Sequence, residues 1–129
     1  HVKNNWKKVK DPIRNDIDYV LNYKKWDSIV THNPDGEYGH IQHKFTSMIV
    51  TNECVKLGLT GKLEYFGKFY KTNYLLNHTI PGALYLQDAQ AKENLMSEVY
   101  LSQGYAHRIF DHMVPYEKFI RYKDWYFGF

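Results

Sequence analysis

Seven histidines make metal binding the first chemistry to test in this chain. His40 and His43 are three residues apart, so a helix sets both imidazoles on one face, as a pair of metal ligands requires. No acidic residue follows them at metal-site spacing, and no His-Glu-x-x-His pattern occurs. His107 and His112 are five apart and fall on different sides of a helix. Exposed histidines without a resident metal are therefore the expectation. The single cysteine, Cys54, lies in the apolar run Met48-Ile49-Val50-Thr51-Asn52-Glu53-Cys54-Val55, where a buried, inert thiol is the usual outcome. One cysteine allows no intramolecular disulfide and no Cys-rich zinc site.

Nucleophilic and phosphate chemistry find no support either. Ser28, Ser47, Ser97 and Ser102 lack a Gly-x-Ser-x-Gly elbow. No Gly-rich loop leads into Lys and Ser/Thr, so nothing cradles a phosphate. The carboxylates are scattered rather than paired. Asn77-His78-Thr79 matches a glycosylation acceptor in form, but no secretory signal accompanies it. The expectation is no catalytic residue, no cofactor and no enzyme.

The end of the chain offers contact instead of catalysis. Pro115, Tyr116, Phe119, Arg121, Tyr122, Lys123, Trp125, Tyr126, Phe127 and Phe129 combine large rings with basic side chains in one short segment. Rings supply contact area at low entropic cost, and Lys118, Arg121 and Lys123 suit phosphate headgroups or acidic side chains. A chain end frays, so four rings among the last five residues are hard to bury internally. The segment 115–129 reads as a docking tail, with Tyr65, Phe66, Phe69, Tyr70 and Tyr74 as a secondary cluster.

The elements that would carry these residues read as mostly α: one small helical domain over residues 11–129, an extended arm over 1–10, and the aromatic C-terminal segment. Asp11-Pro12 looks like an N-cap with proline in the first helical position. Ile13, Ile17, Val20 and Leu21 then recur at helical spacing, predicting a helix over about 12–30. His32-Asn33-Pro34-Asp35-Gly36 ends it with turn chemistry. Phe45, Met48, Ile49 and Val55 predict a second helix within Gly39–Leu59, closed by Gly58 and Gly61. Residues 62–74 have no clean period and fit either a short helix or strand-like wrapping. The strongest helical pattern runs from about Gln87 to Met113, with Leu95, Met96, Val99, Ala106, Ile109, Phe110 and Met113 inward and Asp88 or Asn94 as cap. Pro115 stops it, and a short helix follows over 116–125.

Composition agrees with a docking role. Of 129 residues, 43% are hydrophobic, as in ordinary globular domains, yet 17% are aromatic, with 12 Tyr and 7 Phe. Such rings in a chain of mean hydropathy −0.60 must partly lie at the surface, which favours an obligate partner. A net charge of +3 suits an anionic lipid surface or an acidic partner, but falls short of the basic stripe of a nucleic-acid binder. No apolar run approaches the roughly 18 residues of a spanning helix, so no transmembrane helix is expected.

Two segments carry a family likeness. Val55-Lys56-Leu57-Gly58-Leu59, similar to the family's Lys-Leu-Gly-Leu element after its first helix, and the run Phe110-Asp111-His112-Met113-Val114-Pro115-Tyr116-Glu117-Lys118-Phe119-Ile120-Arg121-Tyr122-Lys123-Asp124 resemble the 14 kDa, ubiquinone-binding-protein type subunit of mitochondrial respiratory complex III. Phe119 stands where that family usually has Trp. The interval from Lys56 to Pro115 is longer than the family's by roughly ten residues, its Arg-Arg-Leu-Pro element is not recognisable, and Trp125–Phe129 replaces its acidic continuation. The resemblance covers about half of the chain.

The resemblance implies a helical, non-catalytic accessory subunit, peripheral on the matrix side of the mitochondrial inner membrane. It would pack on the cytochrome b core and bind no redox cofactor. The same interface physics fits an accessory subunit of the ATP synthase or complex I, and rings interleaved with Lys and Arg also fit a module for single-stranded RNA.

Overall fold

A computed structural model describes residues 6–128, with the side chain of Trp6 left out. The chain is mostly α with small sheets, as the sequence predicts. Among the described residues no helix is long and apolar enough to cross a membrane. The expected single domain divides into two compact units: residues up to Lys68 together with those from Phe119 onward, and Phe69–Lys118.

The first unit opens with α1 (Trp6–Tyr23). This corrects the expected arm over 1–10: residues 6–10 are helical, and residues 1–5 lie outside the described ones. Pro12 is therefore inside the helix rather than at its first position. Residues 7–12 are all exposed, so the carbonyl that Pro12 leaves without an N–H partner can be hydrated. The helix also stops earlier than expected, because the Trp26 indole N–H donates to the Val20 carbonyl at 2.8 Å and closes the last turn.

The β-branched triplet that follows is β1 (Ile29–Thr31), and α2 (Ile41–Leu57) carries the chain on to β2 (Leu63–Phe66). β1 and β2 are parallel, with Ile29 opposite Leu63 and Thr31 opposite Tyr65. β5 (Phe119–Arg121) lies antiparallel on the other edge of β2, pairing Phe66 with Phe119. β2 alternates inward Leu63 and Tyr65 with outward Glu64 and Phe66, the period-two pattern of a sheet covered on one face. α6 (Tyr122–Phe127) ends the unit.

The core of this unit is Leu21, Val50, Cys54, Leu63 and Tyr65, with Ile17, Ile29, Leu57, Tyr122 and Trp125 packed against it. Tyr65 is fully buried and its hydroxyl shares a 2.7 Å hydrogen bond with Thr51 Oγ1. Burial pushes its phenol well above the ordinary tyrosine range. α2 ends as predicted, with Gly58 in the left-handed region (φ 70°) and Leu59 N–H returning to the Cys54 carbonyl at 2.8 Å.

The second unit holds α3 (Thr72–Leu75), β3 (Leu84–Tyr85), α4 (Gln90–Asn94), α5 (Gly104–Phe110) and β4 (Tyr116–Glu117), with β3 and β4 antiparallel. The predicted long helix over 87–113 is broken. A π turn over Leu95–Val99 and a 3-10 turn over Leu101–Gln103 separate α4 from α5. Ser97 Oγ donates to the Glu93 carbonyl at 2.8 Å, a local bond of the kind that competes with a regular helical ladder, and Gly104 adds backbone freedom. Asp88 does sit near the start as expected, its carboxylate accepting the Gln90 N–H at 2.9 Å.

Candidate functional site

The loop between β1 and α2 and the first turn of α2 bring two of the seven histidines, His32 and His43, to one glutamate, Glu37. The loop begins with a turn in which the Gly36 N–H donates to the Asn33 carbonyl at 2.9 Å, with Pro34 and Asp35 as the central pair. Gly36 has φ 68°, and a Cβ there would stand 2.6 Å from the His40 carbonyl oxygen, so the position admits only glycine. Glu37 follows at φ 55°, the one described residue other than glycine in the left-handed region. Such a conformation costs on the order of 1–2 kcal/mol and persists only where its surroundings enforce it.

Asn33 does the enforcing. It is fully buried. Its main-chain N–H donates to Glu37 Oε1 at 3.0 Å, and its own Oδ1 accepts the Glu37 N–H at 3.0 Å. Its amide nitrogen donates to the Phe66 and Gly67 carbonyls at 3.2 and 3.0 Å, fastening the loop to the end of β2. One glutamate oxygen is thus occupied, and the other, Oε2, is directed at two imidazoles.

His43 Nδ1 makes a short hydrogen bond to Glu37 Oε2. His32 Nδ1 lies 3.2 Å from the same oxygen, yet it is buried and makes no hydrogen bond. The two rings are stacked, with centroids 3.8 Å apart and planes 11° from parallel. The Glu37 side chain is only 7% exposed. Burial lowers the His32 pKa from its ordinary value, outweighing the pull of Glu37 in the other direction, with His43 adding to the lowering. His32 thus sets a second imidazole, biased by burial toward its neutral form, beside a buried carboxylate.

Of the pair singled out by spacing, only His43 enters this cluster. The His40 ring lies 4.5 Å from that of His43, but its Nδ1 accepts the Gln42 N–H at 3.3 Å as the N-cap of α2. Sequence reasoning missed Glu37 and His32 because it sought an acidic partner after the histidines, whereas both precede them across the turn. The signal was the turn itself, which folds His32 and Glu37 back toward the first turn of α2. A second cluster, Glu93, His107 and Asp111, lies in the other unit, with His107 Nε2 3.0 Å from Glu93 and 3.5 Å from Asp111.

The docking candidates of the tail divide between the units. Pro115 and Tyr116 are half-buried in the second, where Tyr116 pairs with Tyr85 across β3 and β4. In the first, Tyr122 and Trp125 pack on the core, Trp125 with its ring 5.7 Å from that of Tyr65. Arg121 is paired with Asp124 at 3.0 Å. Phe119, Lys123, Tyr126 and Phe127 are exposed, and Phe129 lies outside the described residues.

A larger apolar band lies elsewhere. In the second unit Leu95, Val99, Tyr100, Leu101 and Tyr105 are each more than half exposed, although Leu95 and Val99 belong to the predicted inward face. Ile80 and Val114 are the only residues of that unit, all of it described, that are buried. The run Leu95–Tyr105 contains a single charged side chain, Glu98.

No protein-family model matches the chain, and neither a curated protein nor a solved structure matches it.

Proposed function

We propose that this chain is a non-catalytic accessory subunit of mitochondrial ubiquinol–cytochrome c reductase, complex III, held peripherally on the matrix side of the inner membrane. There it supports assembly and stability of the cytochrome b core. The observation that carries the docking reading is the second unit's lack of a core of its own: two buried side chains in fifty residues, Phe69–Lys118, beside a band of exposed Leu, Val and Tyr. An apolar surface of this kind and low charge fits a protein partner better than lipid headgroups or nucleic acid. The resemblance of Val55–Leu59 and Phe110–Asp124 to the 14 kDa subunit selects complex III among possible hosts. The exposed rings Phe119, Tyr126 and Phe127, with Lys123, provide a second contact surface.

The test is native-gel migration of the tagged chain, with mass-spectrometric identification of what travels with it. Comigration with cytochrome b is the expected result. Comigration with subunits of the ATP synthase or complex I keeps the docking role and overturns the host. Migration as a free monomer, or with RNA lost on nuclease treatment, overturns both.

A further inference from the structure

We propose that His32, Glu37 and His43 form a binding site for zinc, with a fourth position open to water or to an incoming ligand. One ligand atom from each residue lies within 4.8 Å of the other two. Tetrahedral zinc, with bonds of about 2.0–2.2 Å to nitrogen and oxygen, brings its ligand atoms to about 3.3 Å from one another, so the site closes once the stacked His32 and His43 rings tilt to point both nitrogens at one ion. Two imidazole nitrogens and one carboxylate oxygen are a donor set that zinc accepts with a position to spare. Calcium and magnesium, which take oxygen donors, do not fit it.

The surroundings argue for more than a Glu–His ion pair. A lone pair of that kind needs one histidine, and His43 already satisfies it. His32 adds a second imidazole whose Nδ1 is buried against the same oxygen without a hydrogen bond. A ring-nitrogen lone pair facing a carboxylate oxygen at this distance is repulsive, and a cation between the two turns the contact into coordination. Glu37 is held in a strained backbone conformation, and its other oxygen is fixed by the Asn33 main chain. Asn33 in turn spends its side chain on Glu37 and on the end of β2. An outer partner that fixes a ligating carboxylate is a regular feature of metal sites and sets ligand orientation in advance. The inference concerns the first unit alone and stands independently of the docking reading.

The experiment is calorimetric titration of zinc chloride into the full chain, stripped of metal and kept in mild detergent at neutral pH. Uptake of one equivalent is expected. Glu37→Gln and His43→Gln should each weaken it at least tenfold, and Asn33→Ala by about ten- to a hundredfold. His107→Gln, in the Glu93–His107–Asp111 cluster, should leave it unchanged. Cobalt(II) loaded in place of zinc should give the visible absorption of a four-coordinate ion, lost in His32→Gln. Circular dichroism of each variant separates loss of a ligand from loss of fold; should Glu37→Gln unfold, His32→Gln and His43→Gln carry the test. No uptake by the wild type, uptake unaffected by these two histidine variants, or uptake lost in His107→Gln overturns the proposal.

Discussion

The two units differ in where their apolar side chains go. In the first, α1, α2, the three-stranded sheet and α6 converge on Leu21, Val50, Cys54, Leu63 and Tyr65, and a polar pair, Tyr65 and Thr51, is satisfied inside. In the second, short helical pieces and a two-stranded ladder leave Ile80 and Val114 as the buried residues while Leu76, Leu84, Val99 and Leu101 face out. Burial of apolar area is the dominant favourable term of folding, so the first unit contains the means of its own stability and the second does not. On the docking reading proposed above, the first unit would be the scaffold and the second the interface.

Hydrogen exchange on the free chain gives the widest separation. Amides of α2 and β2 should be protected at least a thousandfold more than those of α4 and α5, a gap of about 4 kcal/mol in opening free energy. Equal protection would remove the contrast. Binding of the partner should raise protection in the second unit and leave the first nearly as it was.

Core truncation comes next. Leu63 is 1% exposed, and Leu63→Ala should destabilise the free chain by about 2–5 kcal/mol in urea unfolding. Leu101 is 73% exposed, and Leu101→Ala should shift the same measurement by no more than about 0.5 kcal/mol. Leu101→Asp should nevertheless prevent assembly on the native gel. If it assembles normally, the apolar band is not the interface.

A finer probe is the buried hydroxyl pair. Tyr65→Phe leaves Thr51 Oγ1 without its partner and should cost about 1–3 kcal/mol. Combining it with Thr51→Val removes both polar groups and should recover most of that loss. A double variant no better than the single would mean that the pair is not desolvated as the geometry has it.

What could be read from the sequence follows the same division. The α2 pattern, its glycine stop at Gly58 and the local Asp88–Gln90 hydrogen bond rest on local signals, which act within a turn or two of chain. The parallel pairing of β1 with β2 was not legible, because Ile29-Val30-Thr31 and Leu63–Phe66 are too short to show a period and meet only through α2. The break in the predicted 87–113 helix was hidden by an intact heptad-like spacing, since Ser97 and Gly104 are each tolerable alone. The Glu37 cluster required the turn at Asn33–Gly36 to be folded in space first; spacing along the chain places Glu37 six residues from His43 and on no shared face. Pro12, read as a helix start, sits inside α1 because the exposed turn ahead of it tolerates the lost hydrogen bond.

The smallest expected effect concerns Cys54, fully buried in the core that only the first unit has. Burial, with Glu53 adjoining, pushes its thiol from the ordinary value up to about 11. The folded state therefore favours the protonated thiol. This contribution is fully present below about pH 9 and is lost as the pH rises from there toward 11, where the unfolded chain gives up the proton and the folded one does not. By about pH 9.5 the loss amounts to roughly 1 kcal/mol, with the midpoint in urea moving accordingly. Cys54→Ala removes this alkaline limb, so the difference between the two unfolding curves, measured from neutral pH to about 9.5, isolates the thiol. A flat difference would show that Cys54 reaches water in the folded chain, and the first unit would then be as open as the second.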